Sequence, residues 1–190
     1  MSRTKPLTII GGRPSETYGP LANDNGFLDE ITTRLAKFAP KRAASVVDIA
    51  ELLDAETKSE VPLSVQIIGH AISGQLLLGA PYISDADKHR AWPYFVIDTT
   101  PSSLGFLSRH AGKLDELLLV GCNVGTSLSD WPVNGRSLLY CLSETLRCRV
   151  AGAITTVSLE AFDDCGRYCG PRACWSWSEP GPPTFSVVGV

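Results

Sequence analysis

Two short apolar runs, each closed by glycine and a reactive side chain, dominate the hydrophobic pattern of the chain. One is Leu63–His70 (LSVQIIGH), continuing into Ala71-Ile72-Ser73-Gly74; the other is Leu117–Cys122 (LLLVGC), continuing into Asn123-Val124-Gly125. An unbroken apolar run is the signature of a strand buried on both faces of a parallel sheet. Around them the pattern alternates between strand and helix. Leu7–Ile10 reads as a short strand stopping at Gly11-Gly12. Phe27, Ile31, Leu35 and Phe38 recur at helical spacing and end before Pro40. Ser45-Val46-Val47-Asp48 opens a second helix, running to about Ala55, with a start like a capping box. Gln75–Leu78 reads as a hairpin arm and Tyr94–Ile97 as a short strand. A helix starts at Thr100-Pro101, carries Leu104, Leu107 and Ala111, and ends at Gly112. Asn134 caps a helix with Leu138, Leu139, Leu142 and Leu146 on one face, and a strand over Val150–Thr155 comes next. A final strand is predicted at Phe185–Val188. This alternation predicts an α/β fold, a three-layer α/β/α sandwich with a mostly parallel central sheet.

Composition narrows the class. With 190 residues, 44% hydrophobic and 19% charged, the chain is expected to form a single globular domain over 1–190. The Gly-, Pro-, Cys- and Trp-rich stretch 157–190 is read as an extension of that domain. The net charge is −3 with no basic block, which argues against a nucleic-acid partner. No apolar stretch approaches the ~20 residues of a membrane span, and the amino-terminal pattern MSRTKPLTIIGG lacks the features of a secretory signal. The expected location is the cytoplasm, or delivery by a secretion route other than Sec.

Of six cysteines, Cys141 and Cys148 are placed in the helix capped by Asn134, as small apolar residues. Cys165, Cys169 and Cys174 cluster in DDCGRYCGPRACW, without the paired spacing of zinc ribbons; a loop of reduced thiols is expected, with a metal site or a disulfide as the alternatives. No cofactor or metal is expected. His89 and His110 lie in polar stretches and are read as solvated. Gly11-Gly12 lacks a phosphate-loop pattern, and no G-x-S-x-G elbow is present. Trp131, Trp175 and Trp177 are read as packing their loops.

Ligands of open α/β sheets sit beyond the carboxyl ends of the strands. A His and a Cys at two such ends can therefore face one crevice, as a thiol nucleophile and its base require. The pattern also resembles a known family, the caspase-like cysteine peptidases. Gly69-His70-Ala71-Ile72-Ser73-Gly74-Gln75-Leu76-Leu77-Leu78-Gly79 is similar to the His segment of its bacterial members. Leu118-Leu119-Val120-Gly121-Cys122-Asn123-Val124-Gly125 is similar to the Cys segment of those members. The helix from Gly135 to Leu146 and the strand Val150-Ala151-Gly152-Ala153 are similar to the helix and strand that come after it. The spacing between His70 and Cys122 also resembles that of the family, and the likeness covers residues 60–156.

The resemblance implies a cysteine endopeptidase acting on protein or peptide substrates, with Cys122 as nucleophile and His70 as acid/base. It also implies an oxyanion site made by the amides of Ala71 and Cys122, while Gly69 and Gly121 leave room for a substrate backbone. Most of the family carries Gly directly after the His. Ala71 here keeps the peptide N–H but is strained if the backbone demands a positive φ. Substrate-pocket candidates are Arg13, for an acidic side chain, and Asp163 and Asp164, for a basic one. The alternative is a caspase-like domain without turnover that binds a protein partner.

Overall fold

A computed structural model of the chain describes residues 6–12, 25–58, 61–72, 74–79, 96–127, 134–170, 175–181 and 186–187. Ten strands and four α-helices are present among them: β1 (Leu7–Gly11), α1 (Asn25–Leu35), β2 (Lys41–Ala43), α2 (Val46–Glu56), β3 (Leu63–Ile68), β4 (His70–Ile72), β5 (Gln75–Leu77), β6 (Val96–Ile97), α3 (Pro101–Ser108), β7 (Leu114–Val120), α4 (Gly135–Leu146), β8 (Arg149–Ala153), β9 (Trp175–Ser178) and β10 (Ser186–Val187). Seven strands form the main sheet in the order β10-β9-β8-β7-β3-β1-β2, and β4-β5-β6 form a small second sheet. From β2 to β8 the neighbours run parallel; β9 and β10 join antiparallel. The fold is α/β with a mostly parallel central sheet, as the alternation of elements predicts.

The central strands are apolar throughout because both of their faces are covered. Ile9, Ile67, Leu117, Leu119 and Val150 turn to the face packed by α2, α3 and α4. Their neighbours Ile10, Ile68, Leu118, Val120 and Ala151 turn to the face packed by α1 and by the chain after β8. The placement of the helices stems from strand order. The step from β1 to β2 runs one way along the sheet, and every later parallel step runs the other way. Crossovers of a single hand then put α1 on one face and α2, α3 and α4 on the opposite one.

Local signals are realised at the helix starts. The Ser45 side chain accepts from the Asp48 amide while the Asp48 carboxylate accepts from Ser45 N–H, a complete capping box. Thr100 caps α3 with Pro101 at its first turn, and Asn134 caps α4 through the amides of Arg136 and Ser137.

Several boundaries differ from the sequence reading. The His run is not one strand: β3 ends at Ile68, and after Gly69 the chain enters the second sheet as β4. The Cys run begins earlier, at Leu114, since Asp115 and Glu116 occupy its margin while Leu114 is buried. Its last strand residue is Val120, so Gly121 and Cys122 lie just beyond the strand. Helix α3 stops at Ser108, short of Ala111. Cys148 lies past the end of α4, buried before β8, not within the helix. The polar strand β2 and the strand β9, formed by Trp175-Ser176-Trp177-Ser178, carry no apolar-run signal, and the hydrophobic pattern does not predict them. Among the described residues, no helix is long and apolar enough to cross a membrane.

Candidate active site

The five parallel strands place their switch point between β1 and β3, where successive connections leave toward opposite faces; this is where open α/β sheets bind ligands. His70 stands at the carboxyl end of β3, and Cys122 at the same end of the next strand, β7. The two strands run in register up to Ile68 opposite Val120, and the Gly69 amide donates to the Val120 carbonyl at 3.1 Å. His70 and Cys122 each come two residues later. Ile68 and Val120 both face α1, and although the strands end there, His70 and Cys122 stay on that side, His70 against the Phe27 ring and Cys122 against the α1-side cluster. Phe27 of α1 flanks His70. Its ring stands 6.0 Å from the His70 ring, and both Phe27 and Cys122 pack against the same apolar cluster. His70 is 8% exposed, and Cys122 is half-buried.

The turn after β7 is tightly specified. Val124 N–H donates to Gly121 C=O and Thr126 N–H to Asn123 C=O, wrapping Cys122 into a single helix-like turn. Asn123 adopts φ 59, a left-handed conformation that Asn tolerates better than most residues. The chain leaving β8 zips onto this turn through Asn123 N–H to Thr155 C=O and Gly125 N–H to Ala153 C=O, at 3.1 and 2.9 Å. It then places the Val157 N–H 3.4 Å from the Cys122 Sγ, which accepts from it.

The glycines of the two motifs serve a purpose other than the one expected. The hairpin of β4 and β5 folds over the strand ends on the α2–α4 side. A Cβ on Gly121 would stand 2.5 Å from the Ala71 Cβ and 2.7 Å from Leu76 Cδ1, and a Cβ on Gly69 would collide with the Leu77 carbonyl. The space over Gly69 and Gly121 is therefore filled by the protein's own hairpin, not left for a substrate backbone. Ala71 sits within β4 opposite Leu76 and is not among the positive-φ residues, so its side chain is held without backbone strain. Gly12, after β1, donates its N–H to the Ala43 and Leu78 carbonyls at 3.0 and 2.5 Å, so this amide is already engaged.

The pocket candidates do not converge on this rim. Asp163 builds a turn: its Oδ1 accepts from the amides of Cys165 and Arg167 at 2.8 and 2.9 Å, and Cys169 Sγ donates to Oδ2. That turn is anchored toward the opposite end of the sheet. Gln66 donates to the Gly166 carbonyl, and Arg167 pairs with Glu116 near the start of β7, both contacts at 2.5 Å. Gln66 lies within β3, two residues before its end and four before His70. Asp164 is exposed on the same turn. Arg13, His89, Trp131 and Cys174 lie outside the described residues. His110 contradicts its polar surroundings in sequence: its side chain is 0% exposed, 3.7 Å from Asp54 on α2. Burial holds it below its ordinary 6.5, outweighing the attraction of Asp54.

The chain matches no family model, no curated protein and no solved structure.

Three other thiols sit where the charged form is penalised. Burial pushes the Cys148 thiol up to about 12, helped by Asp115 and Glu116. Burial raises Cys141 as well, and burial with the Asp163 carboxylate raises Cys169. These three are disfavoured as thiolates near neutral pH. Among the described residues no three His, Cys, Asp or Glu side chains are grouped as a metal would need. Sequence reasoning missed Phe27 as a wall of the site and Val157 as a donor to the sulfur. Phe27 carried only a helix-core signal, and a main-chain donor leaves no trace in residue type.

Proposed function

We propose that the protein is a cysteine endopeptidase of the caspase-like type, with Cys122 as nucleophile and His70 as acid/base. The observation that carries this reading is the placement of His70 and Cys122 at the carboxyl ends of the in-register neighbours β3 and β7, on the α1 side, one strand from the switch point between β1 and β3. The His70 imidazole takes the thiol proton as sulfur attacks the scissile carbonyl, and returns it to the departing amine. Water, deprotonated by the same imidazole, then cleaves the thioester. The amides of Cys122 and Ala71 are the donors for the tetrahedral oxyanion, each such donor being typically worth ~3 kcal/mol. The substrate is a polypeptide; no cofactor takes part.

The second reading is a binding module of the same fold without turnover, favoured by the low exposure of His70 and the hairpin packed over Gly69 and Gly121. A peptidyl electrophile separates the two. Under the peptidase reading it labels Cys122, Cys122→Ala abolishes the adduct, and His70→Ala slows labelling at neutral pH by about a hundredfold or more. Equal labelling of several cysteines, indifferent to His70, is the result that favours the binding module.

A further inference from the structure

We infer that the Val157 main-chain N–H is a built-in donor to the reacting sulfur, holding the Cys122 Sγ in place for attack. This rests on the assignment of Cys122 as nucleophile. The observation behind it is the Val157 N to Cys122 Sγ contact of 3.4 Å, a sulfur hydrogen bond from a residue 35 positions away.

The amide is fixed on both sides. Upstream, the Thr155 and Ala153 carbonyls accept from the Asn123 and Gly125 amides, and the Thr126 hydroxyl donates to the Ile154 carbonyl at 3.3 Å. The segment leaving β8 is thus tied to the very turn that carries Cys122. Downstream, the Val157 side chain is 4% exposed in the α1-side cluster, and Ser158 caps the short 3₁₀ turn Leu159–Ala161 by accepting from Glu160 N–H. A donor clamped in this way is already oriented before the sulfur reacts, so attack requires no rearrangement of this contact. The bond holds the sulfur on the α1-side face, the face on which Phe27 meets the His70 ring.

The donor belongs to the backbone, so the test must remove an N–H and leave the side chain. In the full chain, Val157 is replaced by its α-hydroxy acid, turning the Thr156–Val157 amide into an ester, and Val157→Ala serves as the control that keeps the N–H. The readout is the rate of Cys122 alkylation by iodoacetamide at neutral pH, monitored by peptide mass spectrometry. The ester is expected to slow alkylation about tenfold, while Val157→Ala is alkylated at the native rate. An ester alkylated at the native rate, or an equal slowing in Val157→Ala, overturns the inference. A second measurement needs no ester: hydrogen exchange of the Val157 amide should accelerate in Cys122→Ala while the Asn123 and Gly125 amides keep their protection, and unchanged exchange at Val157 overturns the inference equally. The two proposals fail separately. A native chain that cleaves no peptide yet shows slowed alkylation in the ester loses the peptidase reading alone; His70-dependent cleavage with the ester alkylated at the native rate loses this inference alone.

Discussion

Gly121 sits where three atoms of the second sheet and its approach converge, and that crowding leaves no room for a side chain. A methyl group there meets the Ala71 Cβ, Leu76 Cδ1 and, at 2.9 Å, the Gly69 carbonyl. Gly121→Ala is expected to cost about 1–3 kcal/mol of stability through overpacking, read as a lower urea midpoint. Ala71→Gly should recover part of that loss, since it removes one of the three atoms, so the double-mutant cycle should show coupling between the two sites. Strict additivity would mean that the hairpin does not press on Gly121. His70 and Cys122 are legible as a pair because each ends an apolar run in Gly and then a polar, chemically capable side chain. The crowding over their glycines is not, because it comes from Ala71, Leu76 and Leu77, which reach the strand ends only after the chain reverses.

At the scale of elements, the segment after β8 behaves as a clamp on the α1-side face. Phe162, Tyr168, Trp175 and Trp177 form a ladder of ring contacts, with centroids 5.2, 5.2 and 6.0 Å apart in sequence order. The turn between Phe162 and Tyr168 hangs on polar anchors in the sheet. Gln66 accepts from Tyr168 N–H and donates to Gly166, and Arg167 pairs with Glu116, which also accepts from Ser64. Burial alone raises the Glu116 carboxyl, but the hydrogen bonds from Arg167 and Ser64 outweigh it and hold it below its ordinary 4.5. A carboxyl depressed on folding contributes stability that is fully present above the unfolded value and is lost as pH falls through the folded one. Glu116→Gln should therefore weaken the anchoring of this turn near neutral pH by ~1–3 kcal/mol and flatten its loss in acid, read as hydrogen exchange of the Tyr168 amide against pH. Exchange at Tyr168 that ignores the substitution would detach the pair from the clamp. Little of this clamp can be read from a Gly-, Pro- and Trp-rich stretch. Its strand β9 has alternating Trp and Ser, and the alternation acquires meaning only beside β8, where Trp175 and Trp177 stand opposite Ala153 and Ala151.

For the whole molecule, His110 links stability to pH. It is buried at the end of α3 beside Asp54 of α2, and Arg109 both pairs with Asp54 at 2.6 Å and donates to the imidazole. Desolvation keeps the folded value below 6.5, with Arg109 and Lys113 adding to it against Asp54. The unfolded chain then takes up the proton first, so global stability declines as pH falls from about 6.5 toward the folded value, at no more than ~1.4 kcal/mol per pH unit. His110→Gln should remove this slope from urea-unfolding free energies measured across that range; a slope that persists would assign it to other groups.

Sequence by itself determined the parts that depend on near neighbours: the Ser45 box, the Thr100 and Asn134 caps, the helical faces and the apolar central strands, with His70 and Cys122 at their ends. Periodicity and capping are satisfied within a few residues, so residue order suffices to specify them. Tertiary structure alone decided which face each helix covers, the change of sheet at Gly69, the edge position of β2, the burial of His110 and the removal of Asp163 from the site. Each of these turns on contacts such as Gln66 to Gly166, 100 positions apart, which no local pattern encodes. The amide over the Cys122 sulfur is the sharpest case: the backbone presents the same N–H at almost every residue, and only the packed chain selects the one at Val157.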